Sequence, residues 1–219
     1  MAESWATLAS YRLHDLLMFS ADTYFRLFEL VNRQWWPVAL AGAVLALAVL
    51  AAALRCQAPR AAVALLAPAW ASVALLYLTD GFTAIHWLGP WWAVAFLLQA
   101  MLWLAWLAAA RPACAAHGPM RVAGLLLMGA ATAWPALSLA LQRPLWQAEV
   151  VGLAPDPTVL LSLGLLLTLQ PARLGALLLV LPLAWCLFSG ATLWALAQPH
   201  AMVLPLAGAA ALARLVLRR

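Results

Sequence analysis

The stretch APDPTVLLSLGLLLTLQ, residues 154–170, decides how this chain is built. Its apolar run, about 157–172, is short for a helix that must cross a hydrocarbon layer of about 30 Å. Whether it crosses sets the parity of everything around it, because each crossing exchanges the sides of all later loops. Its head is equally unusual. Asp156 stands between Pro155 and Pro157, in front of a run with no further charge until Arg173.

Composition names the solvent. Of 219 residues, 68% are hydrophobic and 9% are charged, against roughly 25% charged in a soluble domain. So little charge cannot cover a water-facing surface, and lipid is the solvent that fits. Apolar runs recur at about 37–54, 61–79, 90–110, 122–141, 157–172, 174–197 and 201–217. They predict an all-α integral membrane helix bundle of about seven transmembrane helices. Pro68, Pro135, Pro182 and Pro205 fall inside the runs, where membrane helices tolerate a kink.

Two regions follow: an N-terminal segment, 1–36, and the bundle, 37–219. Within the first, residues 20–35 place Tyr24, Leu27, Phe28, Val31 and Trp35 on one helical face, and Asp22, Arg26, Glu29 and Arg33 on the other. Asp22/Arg26 and Glu29/Arg33 are acid-then-base pairs four apart, the favourable order, and Ser20 suits an N-cap. The pattern predicts an amphipathic helix lying on the membrane surface with its apolar stripe in lipid. It ends at Trp35-Trp36-Pro37, where the chain turns into the bilayer.

Charge then orients the bundle. The net charge is +5, but all twelve basic residues are arginines scattered singly, which argues against nucleic acid as a partner and for lipid. With seven crossings, one side receives Arg55, Arg60, Arg111, Arg121, Arg173, Arg214, Arg218 and Arg219 and no acid. The other receives Arg12, Arg26, Arg33 and Arg143 with all seven acids. Positive residues favour the cytoplasmic side, so the expected topology in a bacterial inner membrane is N-terminus outside and C-terminus inside. Without a crossing at 157–172 the partition is lost. Trp35, Trp36, Trp87, Trp91, Trp92, Trp146 and Trp194 all fall near the outer boundary, as an aromatic belt.

Few residues suggest chemistry. The three cysteines, Cys56, Cys114 and Cys186, lack metal-type spacing and point to no disulfide framework. The N-terminus lacks the pattern of a cleavable signal, since Glu3, Asp15 and Asp22 interrupt it. Asp156 has two readings: an N-cap before Pro157, which the local sequence favours, or a carboxylate at the outer mouth of the bundle. The second would join it to Glu149, Asp80 and His86, which also fall in outer loops. His86 beside Trp87 reads first as an interfacial histidine bonded to a loop carbonyl, and second as a metal ligand or proton carrier. The four are of metal-binding type, but no spacing unites them. Gln99, deep in the third run, reads as an interhelical hydrogen bond. Ala39, Gly42, Ala43 and Ala46 would allow a close helix contact. No nucleophile triad, phosphate loop or metalloprotease motif is present.

Three stretches carry a resemblance. YFRLFELVNRQWWP (24–37) is similar to an entry motif F-x-x-F-x-x-Y-N-x-x-x-W-P. FTAIHWLGPWWAVAFLLQA (82–100) is similar to a stretch with a Tyr-His pair, an Ile-Asn-Pro turn and a later Phe and Gln. VGLAPDPTVLLSLGLLL (151–167) resembles FG-x-x-P-C-P-T-T followed by a Gly-Leu-Leu helix. Together they resemble a bacterial family of small multi-pass membrane proteins known only as a domain of unknown function. Ile85 replaces the Tyr of Tyr-His, Leu88-Gly89-Pro90 replaces Ile-Asn-Pro, and Asp156 stands in place of Cys. Either residue, Asp or Cys, could bind a metal and either could cap a helix, so the resemblance implies an architecture and brings no activity with it. On the residues alone, a small transporter or binding protein with an outward-facing site stands first. A structural or assembly subunit, with another membrane protein or a second copy as partner, stands beside it. An enzyme has the least support.

Overall fold

A computed structural model describes residues 18–109, 111–114, 118–169 and 176–216, the side chains of 214–216 excepted. Glu3, Arg12, Asp15, Arg173, Arg218, Arg219 and the side chain of Arg214, all used in the charge partition, lie outside the described residues. The described chain is all-α and forms no strand. Its helices are α1 (Ala21–Gln34), α2 (Trp36–Leu54), α3 (Pro59–Ser72), α4 (Gly89–Ala109), α5 (Pro119–Ala133), α6 (Ala136–Ala140), α7 (Pro155–Thr168), α8 (Leu177–Ala195) and α9 (Val203–Val216).

Four of these are long and apolar enough to cross a membrane: α2, α3 with its continuation to Ala84, α4 and α8. Helices α5, α7 and α9 are apolar but shorter. The run at 122–141 is two helices, because Pro135 supplies no N–H and α5 stops at Ala133 before α6 resumes. Beyond Ser72, α3 loosens into a π turn, Val73–Leu78, in which Thr79 N–H bonds Ala74 O, five residues back. That turn carries Tyr77.

Helix α1 forms as its pattern predicts, but its stripe faces protein. Ser20 Oγ accepts from Thr23 N–H at 3.3 Å, Asp22 sits in the first turn and Arg33 in the last, both favourable to the helix dipole. Tyr24, Phe25, Leu27, Phe28 and Val31 are buried in the common core, and Phe28 stacks on Tyr77 at 4.8 Å. Leu30 is the large apolar residue this helix leaves exposed. Asn32 locks the docking by donating to the carbonyls of Trp146 and Ala148, at 2.8 and 2.7 Å. Glu29 takes both ion pairs, from Arg26 and Arg33, so Arg26 turns to Glu29 rather than to Asp22.

The ends of the bundle differ. At one end Arg121 donates to the carbonyls of Ala53 and Leu54, and Arg60 to that of Leu107, satisfying helix C-termini that have no intrahelical donors. At the other end lie Trp36, Trp87, Trp91, Trp146 and Trp194, all exposed. We call these the arginine end and the tryptophan end.

At the centre stands α7. All fourteen of its residues are buried, so α7 touches protein on every side. Close packing holds it, as expected where lipid removes most of the apolar driving force. A Cβ on Gly124 of α5 would strike the Gly164 carbonyl, and a Cβ on Gly164 would strike the Gly124 carbonyl. Residues 148–154, which lead into α7, are buried as well. Gly152, at φ +82°, carries the chain through a left-handed conformation open to glycine, and Ser72 Oγ donates to its carbonyl at 2.6 Å. Gly42 of α2 faces this stretch: a Cβ there would collide with the Val151 carbonyl oxygen. The small-residue face of α2 thus receives an irregular segment rather than a helix.

Candidate functional site

Asp156 is not a cap. The N-cap position of α7 is Ala154, which offers no side-chain bond. Thr158 serves the helix entrance instead: its Oγ1 accepts from Gly152 N–H at 2.9 Å and donates to Ala154 O at 2.7 Å. Asp156, at the second helical position, turns into the protein and is 1% exposed. Its Oδ1 accepts from the Trp185 indole N–H at 2.8 Å, and Ser189 Oγ lies 2.9 and 2.8 Å from its two oxygens. Two donors from α8 thus hold a carboxylate that local sequence assigns to capping. Six residues on, Ser162 Oγ takes the Trp70 indole N–H at 2.8 Å, extending a polar seam through the core.

Glu149 stands on the buried stretch before α7, 4% exposed, and accepts from the Trp134 indole N–H at 3.2 Å. Burial pushes its carboxyl up to about 8, the charge of Asp156 adds to the rise, and Arg143 opposes it. Two carboxylates in one low-dielectric region resist ionising together, so they titrate as a pair. Tyr24 and Tyr77 lie within electrostatic reach of both, and their two hydroxyls lie within hydrogen-bonding reach of each other.

Arg143 closes the cluster toward the tryptophan end. Its guanidinium carbon lies 3.5 Å from the centre of the Phe25 ring, and its Nε and one terminal nitrogen are buried without partners. It also lines an open cleft of ≈ 440 Å³ with Asp22, Thr23, Phe25, Arg26 and Gln147. The cleft is outside, the carboxylates are inside, and Arg143 stands between. His200 sits beyond Trp134, with ring centroids 5.9 Å apart. Burial and then the charge of Arg143 press its pKa down to about 4, so the imidazole is neutral.

Of the sequence candidates, Glu149 and Asp156 come together; the others do not join them. His86 is half-buried over Phe82, with centroids 5.1 Å apart. Its Nδ1 accepts from Leu88 N–H at 3.0 Å, an amide rather than the carbonyl expected, and burial lowers its pKa. Asp80 is exposed. Gln99 is fully buried on α4 and donates Nε2 to Leu178 O of α8 at 3.0 Å, while its Oε1 has no partner. Among the described residues, no group of three or more His, Cys, Asp or Glu is placed to hold a metal ion.

The donors Trp134, Trp185 and Ser189, and the neighbours Arg143, Tyr24, Tyr77 and His200, carry no motif. One signal was available: Trp134 and Trp185 lie away from the run ends where the aromatic belt falls, and a buried indole N–H needs an acceptor.

A model of a family of unknown function (DUF6064) matches residues 21–219. The chain belongs to the DUF6064 family. The match begins at the first residue of α1 and takes in every element described above, so the docked helix is part of what this DUF6064 chain shares with its family. No curated protein and no solved structure matches it.

Proposed function

We propose that this DUF6064 protein crosses a bacterial inner membrane seven times, N-terminus outside, and is a small transporter or binding protein whose outward-facing site takes up a proton at the Glu149–Asp156 pair. The single observation behind the functional reading is a pair of buried carboxylates, Glu149 and Asp156, lying behind a cleft lined by Arg143. Buried acids in a membrane protein are expensive and mark ion or proton paths.

The crossing at α7 is supported by its complete burial. Fourteen residues at 1.5 Å each make about 21 Å, too short alone. The buried stretch 148–154 joins its outer end, where irregular backbone is allowed because protein surrounds it. Such broken segments line binding sites in transporters. For orientation, Cys56 is exposed at the arginine end. A membrane-impermeant thiol reagent should label it in inverted vesicles only, and labelling in intact cells would reverse the topology.

Infrared difference spectra of the purified protein test the site. A protonated-carboxyl band should titrate near pH 8, vanish in Glu149→Gln and move to lower pH in Asp156→Asn. A thiol reagent on Gln147→Cys, at the cleft, should slow its exchange with deuterium. Absence of the band, or a titration indifferent to Asp156→Asn, would overturn the proposal.

A further inference from the structure

His200 lies in the turn between α8 and α9, 7% exposed, and neither ring nitrogen has a partner. It lines a second cleft, of ≈ 320 Å³, distinct from the one over Arg143. The break at Pro135 makes this space: α5 stops, α6 restarts, and Ala130, Ala133, Ala136 and Leu137 leave a hollow closed by Trp134 and His200. Around it Leu126, Leu139, Met202 and Leu206 are exposed, so the cleft opens on an apolar face, where lipid rather than water is the neighbour.

An open imidazole in such a place demands a polar partner. Water fits poorly, since an ordered buried water needs two to four polar contacts. Apart from His200 the lining side chains are apolar, and the Trp134 indole N–H is already bonded to Glu149. The occupant must bring its own polar atom on an apolar body. The volume lies at the lower end of ligand pockets, roughly 300–1,000 Å³, and so admits one chain rather than two. Burial and the positive charge of Arg143 keep His200 neutral, which disfavours a cationic head and suits an oxygen that accepts the ring N–H.

We propose that this lateral cleft binds a single-chain membrane amphiphile with an uncharged oxygen head group, an alcohol or a carbonyl, hydrogen-bonded to His200. The cleft shares Trp134 with the proton-binding pair, and Glu149→Gln, which keeps an acceptor oxygen for the Trp134 N–H, should leave it intact.

Photolabelling tests this on the full chain in nanodiscs, with a long-chain alcohol carrying a diazirine as the probe. Label should concentrate on residues 130–140 and 200–203, and unlabelled long-chain alcohol should compete better than the alkane of equal length. Ala133→Trp, which fills the cleft, should abolish the concentrated label. His200→Leu, which keeps the apolar wall, should remove the preference for alcohol over alkane while labelling persists. Label spread evenly over the lipid-facing helices, equal competition by alkane in the wild type, or an alcohol preference surviving in His200→Leu would each overturn the proposal.

Discussion

Trp185 donates its indole N–H to Asp156 Oδ1 across 2.8 Å, joining α8 to the entrance of α7 inside the core. A bond to a charged acceptor contributes about 1.5–3 kcal/mol. Trp185→Phe removes it with little change of shape and should lower the thermal midpoint in detergent accordingly. Asp156→Ala should lower it further, since Trp185 and Ser189 both lose their acceptor. Asp156→Asn keeps one acceptor oxygen and should remain folded. Unchanged midpoints for Trp185→Phe and Asp156→Ala would show the contact to be incidental.

The raised Glu149 pKa makes a prediction about pH. Between its ordinary value of 4.5 and about 8, the folded protein holds a proton that the unfolded chain has released, so stability falls as pH rises. His200, lowered from 6.5 to about 4, acts oppositely: the unfolded chain binds its proton first, and stability rises with pH across that lower window. The two oppose each other below about pH 6.5. From there to pH 8 the Glu149 effect stands alone, and the thermal midpoint should fall. Glu149→Gln should flatten this part of the curve, while His200→Leu should leave it. A midpoint that rises between pH 6.5 and 8 would contradict the assignment.

Gly42 tests the buried entry to α7. A Cβ there would meet the Val151 carbonyl, a backbone atom that cannot swing aside. Gly42→Ala should therefore cost about 1–3 kcal/mol, the range for overpacking a filled core. Gly129→Ala is the control, since a Cβ there meets nothing within 4 Å. Equal midpoints for the two variants would mean that residues 148–154 do not seat against α2.

Helix α1 provides a contrast between two neighbouring positions. Phe28 is buried against Tyr77 and Leu30 is half-exposed. Phe28→Ala should destabilise the protein by about 3–5 kcal/mol, in detergent as in lipid, and raise protease sensitivity around residues 20–35. Leu30→Asp should leave detergent stability nearly unchanged. Equal effects would return the helix to the membrane surface.

Much of the architecture follows from local chemistry. Long apolar runs with almost no charge leave a chain no solvent but lipid, and the helix boundaries at Ser20, Pro37, Pro59 and Pro119 are set by caps and by proline's missing N–H, which act within a few residues. Arg60 and Arg121, which fall at the ends of apolar runs, close neighbouring helices at one end of the bundle.

What only the tertiary structure decided is where each apolar face looks. The stripe of α1 and the run of α7 are equally compatible with lipid and with protein, because both environments are apolar and periodicity does not separate them. The same holds for Asp156. Its neighbours Pro155 and Pro157 describe a cap, whereas its partners, Trp185 and Ser189, stand 29 and 33 residues away. Composition predicted helices apolar enough to cross a membrane, and four such helices form. The meeting of Asp156 with Glu149 behind Arg143 required the fold, since a buried charge takes its partners from space and not from sequence.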